Sequence, residues 1–230
     1  YPCVCELKID GEANIYHDGY LISKASGKTR TKFHITDYLS QIIPPDTTLY
    51  GELHFEMGKA GDLYKFLSHQ KDDNLNFTIF DASNNILDKL PYVARRAWLL
   101  SELRIPIAPR YYPHQIVQSW IAYNQQDVDN IFHKVVGMNY EGIVIKNENS
   151  RLVGNTSWVK MKFKDTIEVP IKSIDAVNER MEIEYKGKVV GIKLANKYRS
   201  KVKVGDMVIV EYQGELSGGS IRHPILKEIL

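Results

Sequence analysis

Short runs of alternating apolar and polar residues dominate the first third of the chain, and this period is typical of half-buried β-strands. The runs predict strands over residues 3–9, 13–16, 19–23, 48–55 and 77–81. Two more strands are predicted at residues 142–146 and 158–162, and helices are predicted at residues 60–69 and 91–103. This part of the chain is therefore expected to be an α+β domain with antiparallel sheets.

The clearest helical period lies at residues 128–136. Its apolar residues recur at positions i, i+3, i+4, i+7 and i+8, which form one face of a helix: Val128, Ile131, Phe132, Val135 and Val136. Asp127 is predicted to cap the start of this helix, and Gly137 is predicted to end it.

Beyond residue 164 the chain contains only short strand patterns, at residues 168–174, 181–185, 189–195 and 207–212. The segment Tyr185-Lys186-Gly187-Lys188 between two of them predicts a hairpin turn. Such a series suits a small five-stranded β-barrel. The chain is therefore predicted to form two domains, residues 1–163 and residues 164–230.

The positions of the charged residues are more informative than the net charge of the chain. A net charge of +2 is only weak support for a nucleic-acid partner. One acid-free run contains five bases, namely Lys193, Lys197, Arg199, Lys201 and Lys203. This run is either a nucleic-acid contact or a solvated barrel surface.

Composition also bears on the compartment. The only cysteines, Cys3 and Cys5, are too few for a four-ligand zinc site and predict packed thiols in a reducing compartment. No apolar run reaches the length of a membrane span, and the first residues lack the features of a signal peptide. We therefore expect a cytoplasmic protein with no membrane partner.

The segment Glu6-Leu7-Lys8-Ile9-Asp10-Gly11 introduces candidate chemistry, because it places a lysine at a strand end beside an acid and a turn glycine. A lysine becomes a nucleophile only when deprotonated, which requires burial or cationic neighbours that lower its pKa. In isolation this pattern is also typical of an exposed strand and turn.

Further segments follow in a fixed order. Each has an ordinary interpretation as an edge charge, a core aromatic or a solvated face. The residues of interest are Glu52 in an apolar strand, Phe80 before Asp81, Glu141 and Lys146 around an apolar run, and Lys160 and Lys162 on one strand face.

Together these segments resemble motifs I, III, IIIa, IV and V of the covalent nucleotidyltransferases, which include ATP-dependent DNA ligases, RNA ligases and mRNA capping enzymes. The resemblance covers nearly the whole chain. It implies an antiparallel-sheet adenylyltransferase domain followed by an all-β OB-fold barrel. Residues 204–212 and 221–224, and the tryptophan before the paired lysines, are most similar to a small ATP-dependent DNA ligase.

The resemblance implies roles for the reacting groups. Lys8 would attack the α-phosphorus of ATP, and the AMP would then pass to a 5′-phosphate that a 3′-hydroxyl attacks. Lys160 and Lys162 would grip the α-phosphate and lower the pKa of Lys8. Asp10 and Glu141 would hold Mg²⁺ or Mn²⁺.

The nucleotide and nucleic-acid contacts are implied in the same way. Phe80 would stack on adenine, Glu52 would accept a ribose hydroxyl, and Glu6 would accept the adenine amino group, which favours ATP over GTP. Lys146 belongs to the same nucleotide-binding set. The nucleic acid, expected to be nicked duplex DNA bound by a monomer, would contact Lys24, Lys197, Arg199, Lys201 and Arg222.

The chain departs from the family pattern at three places. Ala13 stands where DNA ligases usually have arginine, and Ser23-Lys24 replaces the usual Ser-Arg. Residues 218–224 resemble the approach to motif VI, yet no Arg-x-Asp-Lys follows, so reaction with ATP is expected to be slower than sealing of a pre-adenylylated nick.

Two alternatives stay open, an RNA ligase and a catalytically weak module that binds nucleic-acid ends.

Overall fold

A computed structural model describes residues 1–30, 34–55, 75–103, 114–138, 140–151, 158–216 and 218–230. The chain divides into two compact units, Tyr1–Met161 and Lys162–Leu230. Most of the regular structure in the described ranges is β-strand, accompanied by three α-helices. The strands pair antiparallel, except that residues 77–79 pair in parallel with residues 114–116.

The strands before residue 163 are β1 (Cys3–Leu7), β2 (Glu12–His17), β3 (Tyr20–Ser23), β4 (Thr29–Arg30), β5 (Thr48–Phe55), β6 (Leu75–Ser83), β7 (His114–Ile116), β8 (Ser119–Ala122), β9 (Gly142–Asn147) and β10 (Trp158–Lys162). The helices are α1 (His34–Ile42), α2 (Tyr92–Glu102) and α3 (Gln125–Gly137), with a 3₁₀ turn at Leu87–Lys89. One sheet has the order β4-β3-β2-β5-β6-β7, and a second has the order β10-β9-β1-β8.

Each sheet of the first unit has its own core. Alternate residues of β5 are buried, and Leu49 and Leu53 pack with Ile35 and Leu39 of α1. Under the second sheet, Cys3 and Cys5 share one face of β1 and pack against α3. Both cysteines are free and buried, as predicted.

The predicted helices that lie in the described ranges are confirmed. The helix predicted at residues 91–103 corresponds to α2, with Pro91 and Leu103 as its caps, and residues 128–136 lie within α3. The cap of α3 was predicted wrongly: Asn124 accepts the backbone N–H of Asp127 at 2.9 Å, so the helix starts three residues earlier. The predicted helix at residues 60–69 lies outside the described residues.

The second unit contains β11 (Asp165–Asp175), β12 (Arg180–Tyr185), β13 (Lys188–Lys193), β14 (Met207–Tyr212) and β15 (Ile225–Ile229). They form one antiparallel sheet in the order β13-β12-β11-β14-β15. The predicted hairpin turn is confirmed, since Lys186 and Gly187 have positive φ angles of 47° and 75°. Among the described residues β13 and β15 remain edge strands, so closure of the predicted barrel is not established.

In the described parts of the chain, no helix combines the length and the apolar character needed to span a membrane.

Candidate active site

Lys8 lies just beyond the end of β1, beside the residue that precedes β9. Its backbone N–H donates to the carbonyl of Gly142 at 2.9 Å, which brings its side chain next to Glu141. The Lys8 Nζ and Glu141 Oε2 atoms are 2.5 Å apart, and only 14% and 6% of the two side chains is exposed. The predicted nucleophile is therefore a largely buried ammonium held by a carboxylate.

Gly11 allows the turn after Lys8 to approach β5 closely. A Cβ atom at this position would lie 2.5 Å from the Leu53 carbonyl oxygen and 3.1 Å from the His54 Cβ. The glycine is required because a side chain would push the turn away from the strand. This approach brings the Lys8 turn beside Glu52.

Glu52 lies in the middle of β5, opposite Ala13 of β2 and Thr78 of β6. Burial raises the pKa of its carboxyl to about 7, Lys8 and Lys160 oppose the shift, and Glu141 and Asp10 add to it. Four other predicted site residues therefore influence the pKa of this one carboxyl, namely Lys8, Asp10, Glu141 and Lys160.

A β-bulge directs Phe80. Tyr50 pairs with Asp81 and Gly51 pairs with Ile79, so β6 contains one extra residue, Phe80, at this point. The Phe80 ring packs edge-on against Trp158 of β10, with 5.8 Å between the ring centroids.

Glu6 and Lys146 face each other across β1 and β9. Lys146 Nζ lies 2.7 Å from Glu6 Oε2 and 3.1 Å from the Phe80 carbonyl oxygen, and the two charged side chains are almost completely buried. Burial lowers the pKa of Lys146, while Glu6 and Asp81 raise it. Glu6 Oε1 accepts the Tyr92 hydroxyl and, at 3.4 Å, Arg96 Nη1.

A family model described as ATP dependent DNA ligase domain matches residues 2–162. The chain belongs to this ATP-dependent DNA ligase family. No curated protein sequence matches it.

Solved DNA ligases share the fold of this ligase-family chain. A Lig E DNA ligase has a TM-score of 0.80 at 15% identity, over 99% of this chain and 92% of that one. The Chlorella virus DNA ligase-adenylate has a TM-score of 0.55 at 18% identity, over 100% and 92%. The bacteriophage T7 ligase in complex with ATP has a TM-score of 0.53 at 14% identity, over 100% and 92%.

A buried ion pair joins α2 to β6 at the residue after Phe80, and sequence reasoning did not find it. Arg95 of α2 donates to both carboxylate oxygens of Asp81, at 2.8 and 2.9 Å, and neither side chain is exposed. Arg95 Nη1 also donates to the carbonyls of Leu90 and Ser150. The only sequence signal was the acid that follows Phe80.

The remaining predicted contacts are more dispersed. Lys162 belongs to the second unit, where its Nζ donates to Gln213 Oε1 at 3.4 Å. Lys24 is exposed in the turn after β3, and its N–H donates to the Ala13 carbonyl.

The basic run of the second unit lies on the surface beyond β13. Lys197, Arg199 and Lys201 are exposed, and Arg222 is half-buried. Arg199 forms an ion pair with Glu179, and Lys197 Nζ lies 4.5 Å from the centroid of the Tyr198 ring. Arg199 is therefore partly compensated, a feature that the acid-free run did not reveal.

Proposed function

We propose that this chain is an ATP-dependent DNA ligase that seals nicks between a 3′-hydroxyl and a 5′-phosphate through a lysyl-AMP intermediate on Lys8. The observation that supports this most directly is the buried Lys8–Glu141 pair beside Glu52. It occurs within the part of the chain that matches the ligase domain family.

The first step is attack of Lys8 Nζ on the α-phosphorus of ATP. A nitrogen–phosphorus bond forms as the bond to pyrophosphate breaks. The Lys8 ammonium gives up two protons, one before Nζ attacks and one as the phosphoramidate forms, and both would leave through Glu141 to solvent. Glu141 orients the amine, and the neighbouring cation Lys160, with Lys162, would stabilise charge on the α-phosphate. In the later steps AMP passes to the 5′-phosphate, and the 3′-hydroxyl displaces it. Positioning dominates such transfers.

The nucleotide would bind along the same strands. Phe80, directed by its bulge, would stack on adenine. Glu52 would accept a ribose hydroxyl in its ionised form, which is populated above a pKa of about 7. Glu6 would accept a hydrogen bond from the adenine amino group, and Lys146 would hold the Glu6 carboxylate.

A divalent metal fits this donor set. Asp10 and Glu141 both act on Glu52, so their oxygens lie in one site. No cluster of three or more metal-ligating side chains occurs in the described ranges. Mg²⁺ often binds through one or two carboxylates completed by substrate phosphates and water. When bound, Mg²⁺ or Mn²⁺ would neutralise phosphate charge.

Each of the two units would form one functional domain. We assign residues 1–163 to an adenylyltransferase domain and residues 164–230 to an OB-fold domain. The five antiparallel strands of the second unit support this assignment, as does the approach of β13 and β15 to within 8 Å between Cα atoms. A monomer would bind nicked duplex DNA through Lys24, Lys197, Arg199, Lys201 and Arg222. The similar Lig E ligase is described as binding DNA with a minimal scaffold.

The test is covalent labelling with α-³²P-ATP, followed by sealing of nicked DNA and nicked RNA duplexes. Lys8→Ala and Lys8→Arg should lose the label while keeping the fold, and Lys28→Arg, at an exposed lysine, should keep both. A labelled Lys8→Ala protein would refute the assignment of the nucleophile. Labelling without any sealing would favour an end-binding module, and sealing of RNA alone would favour an RNA ligase.

A further inference from the structure

The ammonium of Lys146 lies inside a cage of three aromatic rings. Its Nζ is 4.0 Å from the Trp158 centroid, 4.5 Å from that of Tyr92 and 5.0 Å from that of Phe80. Only 1% of the side chain is exposed. Since the rings belong to β10, α2 and β6, one buried charge joins three elements around the proposed adenine site.

The Glu6 carboxylate is the anionic partner of this cage, and donors reach both of its oxygens. Lys146 binds Oε2, whereas the Tyr92 hydroxyl and Arg96 bind Oε1. Arg96 is itself fixed, because its Nη2 donates to the Val117 carbonyl at 2.8 Å. The plane of the carboxylate is therefore set from both sides.

We propose that Tyr92 and Lys146 are positioning residues that set the preference of the site for adenine over 6-oxopurines by holding the Glu6 carboxylate in one orientation. The inference rests on the proposed function. It adds the helix α2, which the chemistry described above does not use.

The physical basis is the direction of the hydrogen bonds that a carboxylate can make. An ionised carboxylate only accepts hydrogen bonds, so it favours the amino group of adenine and repels a carbonyl at the same position. A carboxylate whose plane is fixed keeps an acceptor oxygen aimed at that amino group, whereas one that has lost its partners can rotate away from it. Loss of the cage should therefore weaken discrimination more than it weakens binding in general.

The experiment compares labelling of the full chain by α-labelled ATP and by α-labelled ITP, which has a carbonyl in place of the amino group. The ratio of kcat/KM for ATP to that for ITP is measured for the native protein, Tyr92→Phe, Lys146→Met and Glu6→Gln. Removing one hydrogen bond to a charged group should lower the ratio roughly tenfold in Tyr92→Phe. Lys146→Met should lower it further, and Tyr123→Phe, at an exposed tyrosine, should leave it unchanged.

An unchanged ratio in Tyr92→Phe and Lys146→Met, with both nucleotides affected equally, would overturn the inference and leave the cage a purely structural feature. If Lys146→Met fails to fold, Tyr92→Phe decides the question, because it removes only a hydroxyl. Calorimetric binding of AMP and IMP gives the same comparison without covalent chemistry. Absence of labelling in the native protein would therefore refute the proposed function, whereas an AMP/IMP ratio that Tyr92→Phe leaves unchanged would refute this inference alone.

Discussion

At the residue scale, the environment of Glu52 couples the chemistry of the site to stability. Burial raises the pKa of its carboxyl from an ordinary 4.5 to about 7. Between pH 4.5 and pH 7, the Glu52 carboxyl is ionised in the unfolded chain but still protonated in the folded protein. The free energy of unfolding contributed by Glu52 is therefore fully present below pH 4.5, and it is lost as the pH rises towards 7.

The Glu52→Gln variant tests this directly, because its amide does not titrate. Relative to the native protein it should gain stability as the pH rises from 5 to 8, by about 2 kcal/mol after allowance for partial exposure. Urea unfolding of both proteins at these two pH values measures the difference. A difference that does not change with pH would show that Glu52 ionises normally.

Gly11 is the second residue whose role can be isolated. Because a Cβ there would meet the backbone oxygen of Leu53 at 2.5 Å, Gly11→Ala must displace either the Lys8 turn or β5. We expect it to cost about 1–3 kcal/mol of stability. Labelling by ATP should fall at least roughly tenfold, since small displacements disturb in-line attack.

Gly137→Ala is the matched control for that change, because a Cβ at this helix end would have no neighbour within 4 Å. The midpoint of thermal unfolding and the labelling rate should both be lower for Gly11→Ala than for Gly137→Ala. Equal effects in the two variants would mean that the close approach at Gly11 does not matter.

At the scale of elements, the Asp81–Arg95 pair connects β6 to α2, and these elements contain Phe80, Tyr92 and Arg96. Arg95→Met leaves a buried carboxylate without its cation, which should cost roughly 3–5 kcal/mol. The double change Asp81→Leu with Arg95→Met should cost much less, because no charge remains. Urea unfolding measures both, with Arg151→Met as the exposed control. A double variant as unstable as the single one would argue against the ion pair as the cause.

The sequence predicted elements well where one face is buried. The strand predicted at residues 48–55 matches β5, because alternate burial of Leu49, Leu53 and Phe55 produces the period itself. The short strands β4, β7 and β8 and the helix α1 were missed, as was β15. The missed strands contain too few residues to establish a period, and their pairing depends on distant strands.

The site residues also differ in whether a local sequence pattern predicts them. Lys8, Glu52, Phe80 and Glu141 could be proposed as site residues because each stands in a local motif. Tyr92 and Arg96 could not, since their contacts with Glu6 span 86 and 90 residues of chain and arise only when α2 packs over the sheet. Long-range contacts of this kind leave no pattern in a single sequence.

At the scale of the whole molecule, the basic run of the second unit is proposed to bind nucleic acid. Each phosphate that a cation neutralises makes the slope of log affinity against log salt steeper by about 0.9. Lys197 and Lys201 are exposed, whereas Arg199 is paired with Glu179. The two lysines should therefore contribute more to the slope than the arginine.

Titration of nicked duplex DNA at several salt concentrations tests this ordering. Lys197→Ala with Lys201→Ala should flatten the slope by about 1–2, and Arg199→Ala alone should change it by well under 1. Lys172→Ala is the control, because Lys172 is already paired with Glu184 at 2.8 Å on the same unit. Glu179→Gln should increase the contribution of Arg199 by removing its acidic partner. If none of these changes alters the slope, the run is a solvated surface, and Lys24 and Arg222 are the next predicted phosphate contacts to mutate.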